Sequence, residues 1–190
     1  VRLRMLYEPG NWGDVLKGIW AIAAAHQALR TEPDGVLRYL DPFAGAPTYP
    51  ATHNAVKRQL ALAGTSLALL QAPFIRRGLI ASTATLVKAA CEAVRRMAEL
   101  YVFDLDEARR SEWEEVEGAK VLGVESGEEA LDQALQGDTP PGLILIDPYD
   151  FLAEWRALLP RALQAARNSL VLIYIYNRAA CKARGSSARH

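Results

Sequence analysis

Val36-Leu37-Arg38-Tyr39-Leu40-Asp41-Pro42-Phe43-Ala44-Gly45 is the stretch that decides the fold. The apolar-rich run Val36–Leu40, launched from the turn Glu32-Pro33-Asp34-Gly35, reads as a strand that ends on a carboxylate and a glycine turn. Upstream, Asp14–Leu29 places Val15, Leu16, Ile19, Trp20, Ala23 and Ala24 along a helical stripe. Downstream, residues 54–71 and 81–99 read as helices, Leu100–Phe103 as a strand and 105–117 as an acidic amphipathic helix. Lys120–Val124 reads as a strand and Gly127–Leu135 as a helix. After the punctuation Asp138-Thr139-Pro140-Pro141-Gly142, the unbroken apolar run Leu143-Ile144-Leu145-Ile146 has strand length and predicts burial on both faces. A helix over 151–166 and a strand at Leu170–Tyr176 close the series, and Cys181–His190 reads as a frayed tail. Strands alternating with helices predict an α/β fold with a mainly parallel sheet and crossover connections.

The chain has 190 residues and 51% hydrophobic content, which suits one folded α/β domain with a small insertion. No apolar run approaches the roughly 20 residues that span a bilayer. Arg2 and Arg4 lead into Tyr7-Glu8-Pro9-Gly10 rather than an apolar stretch, so the expectation is a cytoplasmic protein without a membrane segment. Cys91 and Cys181 form neither a metal-ligand spacing nor a disulfide framework, so both read as structural and no metal is expected.

Net charge is zero, from 22 basic and 22 acidic residues, but the charges are sorted along the chain. Residues 1–100 hold 12 bases and 7 acids (+5), 101–150 hold 3 and 14 (−11), and 151–190 hold 7 and 1 (+6). The 50 residues from Pro42 to Cys91 contain no acid and five bases. Phosphate attraction depends on such local clustering, so overall neutrality does not exclude a nucleic-acid partner.

The span between Gly45 and Leu100 is far longer than one crossover helix needs, which predicts a helical excursion over residues 46–77. Two readings fit its bases: Lys57, Arg58, Arg76 and Arg77, with Tyr49 and Phe74 nearby, meet RNA phosphates and unstacked bases, or they are solvated charges on a helical cover. His53 reads as structural or as an RNA contact, and Trp12, Trp20, Trp113 and Trp155 read as packing residues, Trp12 alone standing close enough to the strand-end crevice for another role.

In open α/β sheets, ligands bind outside the carboxyl ends of the strands. The residues at those places are Asp41, Asp104, Glu125-Ser126-Gly127 and Asp147-Pro148-Tyr149. Asp104, after the second strand, suits two ribose hydroxyls, or with Asp106 it caps the next helix. Glu125 or Ser126 contacts an adenine ring, or Ser126 serves as an N-cap ahead of Glu128-Glu129. Asp147 with the adjoining backbone carbonyl offers paired acceptors for an exocyclic amine, and Tyr149 a ring to stack on a base, or Asp147-Pro148 simply opens a turn. Methyl transfer to such an amine depends above all on alignment.

Three segments carry a resemblance: Gly10-Asn11-Trp12-Gly13-Asp14-Val15-Leu16-Lys17, Tyr39-Leu40-Asp41-Pro42-Phe43-Ala44-Gly45 and Gly142-Leu143-Ile144-Leu145-Ile146-Asp147-Pro148-Tyr149. In this order the chain resembles the bacterial adenine N6-methyltransferases of large-subunit (23S) ribosomal RNA, the RlmJ type, from about Arg4 to Tyr176. The resemblance implies a Rossmann-like class I methyltransferase fold, S-adenosylmethionine as cofactor and ribosomal RNA as partner. It implies that Lys17 lies near cofactor and substrate, that Asp41 to Gly45 form the first cofactor turn, that Asp104 takes the ribose and that Ser126-Gly127 flank the adenine. Asp147 becomes the catalytic acceptor, flanked by Pro148 and Tyr149. The sequence departs from the family at Leu3, Met5, Gly18 and Phe43, where an aromatic residue or histidine is expected, with Gly18 and Phe43 falling in the cofactor segments. Asp147-Pro148-Tyr149-Asp150 is also one proline short of the family's Asp-Pro-Pro-Tyr, and the chain carries a shortened series of strands. These departures leave two further readings: a relative that binds cofactor or RNA without turnover, and a small-molecule methyltransferase.

Overall fold

The computed structural model describes residues 8–137, 139–148 and 151–175, with side chains described for all of these except 151–153. Tyr149, the segment containing Leu3 and Met5, and the tail with Cys181 lie outside them.

Helix α1, Trp12–Ala28, starts where the Asn11 side chain accepts the N–H groups of Gly13 and Asp14 at 2.6 and 3.3 Å. Asp14 reaches back to accept the Gly10 N–H at 2.9 Å, so three N–H donors at this helix end are satisfied by the two side chains. Strand β1, Val36–Asp41, follows and lies at the centre of a five-stranded sheet. The remaining sheet strands are β4 (Met97–Val102), β5 (Ala119–Val121), β6 (Leu143–Ile146) and β7 (Leu170–Ile173), in the spatial order β5-β4-β1-β6-β7. Every pairing in this sheet is parallel, as the alternating pattern predicts. All four residues of β6 are buried, which fits a strand covered on both faces.

Between β1 and β4 the chain makes its excursion through β2 (Thr48–Pro50), α2 (His53–Leu60), α3 (Ser66–Ile75), β3 (Leu79–Ala81) and α4 (Thr83–Ala93). The single helix expected over 54–71 is two helices. Gly64 at φ 88° turns the chain, and the Thr65 hydroxyl accepts the Ala68 N–H to start α3 afresh. The helix expected to reach residue 99 stops at Ala93, because Arg95 takes a left-handed φ of 57° and β4 begins two residues later. The antiparallel pair β2–β3, which closes the base of the excursion, is absent from the sequence-based expectation.

Helices α5 (Glu107–Glu114), α6 (Gly127–Gln136) and α7 (Phe151–Ala165) complete the crossovers. The α1 side of the sheet packs small residues: Ala21, Ala24, Ala25 and Ala28 let α1 approach Ala84, Val87 and Cys91 of α4 over Leu37, Tyr39 and Leu100. The other face joins Leu131 of α6 and Leu158 of α7 to Leu40, Ile144 and Ile146.

Of the four tryptophans expected to pack, Trp113 does so, and Trp12, the one expected near the crevice, lines the cleft at the strand ends. Trp113 is fully buried, whereas Trp12, Trp20 and Trp155 are 56%, 64% and 42% exposed. On α1, Leu16 and Ile19 join Trp12 and Trp20 on an outward apolar stripe, while Val15 and Ala24 face in. Among the described residues no helix is long and apolar enough to cross a membrane.

Candidate functional site

The carboxyl ends of β1, β4 and β6 open into a cleft of about 1020 Å³ that is also walled by the start of α1 and by the excursion. Asp41, Phe43, Gly45, Asp104, Ser126, Gly127, Asp147, Pro148 and Lys17 all line it. The expected convergence of strand-end residues is therefore present, apart from Gly18, which packs toward Leu67 and Leu86 and is not part of the lining.

Lys17 and Asp147, 130 residues apart, form the centre of the site. Lys17 Nζ donates to Asp147 Oδ2 at 2.5 Å and stands 3.0 Å from Asp14 Oδ1. Burial opposes the charge on Lys17, but Asp147 and Asp14 outweigh it and hold the ammonium well above its ordinary range. Burial pushes the Asp147 carboxyl up, with Lys17 pulling it back toward the ionised form. The Lys17 ammonium lies 5.2 Å from the ring centre of Tyr174, just beyond β7.

Asp41 is only 3% exposed. Its Oδ1 accepts the Phe43 N–H at 3.1 Å and its Oδ2 accepts the Tyr39 hydroxyl at 3.1 Å. Burial pushes Asp41 up to about 7, with the Phe43 N–H opposing and the neighbouring Asp147 charge adding to the rise.

The turn after β1 is braced from three sides. Gly45, at φ 66°, donates its N–H to Asp104 Oδ2 at 3.0 Å, and its carbonyl accepts Trp113 Nε1 at 2.7 Å. The Tyr49 hydroxyl accepts the Ala46 N–H at 2.9 Å. Asp104 lines the cleft, and its Oδ1 accepts the Asp106 N–H at 2.8 Å ahead of α5, as the capping reading expects. Arg109 adds a contact to Asp104 Oδ2 at 3.3 Å, and Asp106 itself caps α5. Ser126 caps α6 by accepting the Glu129 N–H at 3.2 Å, and it too borders the cleft. Gly127 is required by Phe43: a Cβ there would stand 2.5 Å from the phenyl ring and 2.9 Å from the Pro42 carbonyl.

The four bases on the excursion do not act alike. Lys57, Arg76 and Arg77 are exposed. Arg58 turns inward, donating to the Glu8 carboxylate at 3.3 Å and to the Gly10 carbonyl at 3.2 Å, and so anchors α2 to the chain ahead of α1. Phe74 packs against the cluster of Val15, Ile22 and Leu67 instead of standing free as a stacking platform. His53 is exposed at the start of α2.

Sequence reasoning missed Tyr174, Tyr49, Arg109 and Gln59 as cleft residues. Tyr174 obeys the same strand-end rule as Asp147; drawing the last strand out to Tyr176 concealed it.

The lining of the cleft includes eight carboxylates and two bases, Lys17 and Arg109. Such a cavity attracts cationic ligands, admits neutral ones and repels phosphate. The exposed bases lie outside it, on the excursion.

No family model matches the chain, and neither does any curated protein. Among solved structures the chain is similar to a Legionella pneumophila protein described under the family model DUF519, with a TM-score of 0.64 and 20% identity. The match covers 85% of this chain and 66% of that protein, so the chain spans just under two thirds of its length. At that identity the likeness establishes a shared α/β parallel-sheet architecture, consistent with a Rossmann-like fold.

Proposed function

We propose that this protein is an S-adenosylmethionine-dependent methyltransferase acting on an adenine N6 amine of RNA, with ribosomal RNA as the substrate class. The observation that carries this reading is the acid-lined cleft at the carboxyl ends of β1, β4 and β6, with Lys17 and Asp147 at its centre. The resemblance of the Gly10–Lys17, Tyr39–Gly45 and Gly142–Tyr149 segments to the RlmJ-type enzymes supports the same reading.

The residues present fit the cofactor. Its sulfonium and ammonium groups are cationic, and eight carboxylates line the cleft. Gly45 and Gly127 keep side chains off the wall where an adenosine would lie, Asp104 borders the same region, and the volume of about 1020 Å³ accommodates a cofactor together with a base. S-adenosylmethionine, when bound, supplies an electrophilic methyl group.

The chain's own residues then orient the acceptor. Lys17 fixes Asp147 through Oδ2, while Oδ1 receives no hydrogen bond from a described residue. That oxygen and the Pro148 carbonyl accept the two hydrogens of the amine and turn its lone pair toward the methyl group. Lys17 acts as a positioning residue: its ammonium favours the ionised form of Asp147 against the upward push of burial and holds the carboxylate in one orientation. Exposed Lys57, Arg76 and Arg77 meet the phosphates outside the acidic cavity.

Calorimetric titration with S-adenosylmethionine tests the cofactor, and absence of binding at millimolar ligand removes the reading. Labelled methyl transfer onto hypomethylated ribosomal RNA tests the substrate. Asp147→Ala is expected to lower incorporation by about 100-fold or more; unchanged incorporation would overturn the assignment of Asp147.

A further inference from the structure

The two edges of the five-stranded sheet are built differently. β5 is protected in the usual way for an edge strand: it has three residues, and the exposed Lys120 at its middle pairs with Glu99. β7, at the other edge, lacks that protection. Leu170-Val171-Leu172-Ile173-Tyr174-Ile175 carries no charge, and Leu170, Ile173 and Ile175 are exposed. Leu170 and Tyr174 donate their N–H groups to the carbonyls of Gly142 and Ile146, so the main-chain groups of the alternate residues Val171 and Ile173 point away from β6. Among the described residues no strand meets them.

The helices on either face extend this edge. On α1, Leu16 stands half a turn round the helix from Ala25, which packs on the α4 side, and it shares the outward side with Ile19 and Trp20. No exposed residue of α1 is charged. On α7, Arg161 turns to α6 and donates to both carboxylate oxygens of Asp132, at 2.8 and 2.7 Å, while exposed Trp155 and Leu163 lie away from that contact. Scattered apolar residues on a surface are ordinary; a band crossing an unpaired strand and both flanking helices marks an interaction site. These eight side chains leave on the order of 800 Å² of apolar surface open, about what each partner contributes to a standard interface. The cover must be uncharged, must offer a strand edge and must match three elements at once. Asn177–His190, the stretch after Tyr176, holds four Lys or Arg and no Val, Leu, Ile, Met, Phe or Trp with which to match the band. A second copy matches it by symmetry. A two-fold axis normal to the sheet sets β7 antiparallel to its counterpart, with Ile173 opposite its own symmetry mate, and lays α1 beside α1 on one face and α7 beside α7 on the other.

We propose that β7, with the outward sides of α1 and α7, is a homodimer interface at which the five-stranded sheets of two copies join edge to edge. The antiparallel joint sets the two clefts at opposite ends of the dimer, so neither is closed by it. The proposal does not depend on the chemistry of the cleft.

Sedimentation equilibrium of the whole chain, from micromolar to submillimolar concentration, is expected to give a mass of twice the 20.9 kDa of one chain, falling to one on dilution. Trp20→Glu and Leu163→Glu, on opposite faces of the sheet, are each expected to weaken the dimer on the order of 30-fold. Met97→Lys, at an equally exposed apolar residue where β4 begins, is expected to leave it intact. Hydrogen exchange of the wild type is expected to show the Val171 and Ile173 amides protected in the dimer and open in the monomer. A monomer across the whole range overturns the proposal. So does a dimer that tolerates both glutamate variants, or open-ended aggregation, since a two-fold joint consumes both β7 edges. Equal protection of Val171 and Ile173 in monomer and dimer overturns it too, because another stretch of the same chain would then cover the edge; that measurement needs no variant to fold.

Discussion

Asp104 and Gly45, 59 residues apart, are joined by a 3.0 Å hydrogen bond from the Gly45 N–H to the Asp104 carboxylate. The bond ties the turn after β1 to the residue that follows β4, the neighbouring strand, and so fixes the mouth of the cleft between two adjacent strand ends. Gly45 sits at φ 66°, and a Cβ there would lie 2.1 Å from the Tyr49 hydroxyl. Gly45→Ala is therefore expected to destabilise by about 1–3 kcal/mol, from left-handed strain plus displacement of Tyr49. Gly64→Ala has a comparable φ of 88° but open space around it, and is expected to cost less. Urea unfolding of the two variants measures the difference.

Removing the cation from the central pair should be more damaging than removing the pair. Lys17→Met leaves the carboxylates of Asp147 and Asp14 facing a partly buried site without their ammonium, at a cost on the order of 3 kcal/mol. The double variant Lys17→Met with Asp147→Asn is expected to recover much of that loss. A double-mutant cycle read by denaturant midpoints checks the coupling, which should exceed about 1 kcal/mol.

Asp41 makes stability depend on pH with a defined sign. Its folded value of about 7 lies above the ordinary 3.8, so between these values the folded protein holds a proton that the unfolded chain releases. Its contribution to stability is thus fullest below about pH 4 and is lost as pH rises through about 7. Three units correspond to at most on the order of 4 kcal/mol. Asp41→Asn is expected to remove that slope and to gain relative to wild type as pH rises toward 8. Denaturation curves of both proteins between pH 4 and pH 8 test it, and parallel curves would contradict it.

Gly127→Ala probes the cleft without a backbone penalty, because no left-handed φ is required there. The added methyl meets the Phe43 ring at 2.5 Å and must push it aside. Weakened binding of S-adenosylhomocysteine by about tenfold, with secondary structure retained by circular dichroism, is the expected result.

The alternation of helix and strand was legible because buried strands such as Leu143–Ile146 and the long helix α1 repeat their patterns over enough residues to be unambiguous. The excursion was harder. Its alanines and leucines favour helix throughout, so propensity concealed the break at Gly64-Thr65, where one glycine and one capping hydroxyl outweigh it. Strands β2 and β3 have three residues each, too short to show a period of two. In the site, Asp41, Asp104 and Asp147 were readable because strand ends dictate where a ligand meets the sheet. Arg58 and Gln59 were not, since whether a polar side chain on an amphipathic helix turns to solvent, to Glu8 or to the cleft depends on helix rotation in the packed molecule.

The Trp113 indole is buried and hydrogen-bonded to the Gly45 carbonyl, while Trp12, Trp20 and Trp155 face water. The protein thereby carries an optical gauge of its own. The blue-shifted, quencher-resistant fraction of the single chain's fluorescence is expected to come from this indole, which holds the turn after β1, whereas Trp12 at the cleft wall is open to quencher, so the two respond differently to a ligand that enters the cleft.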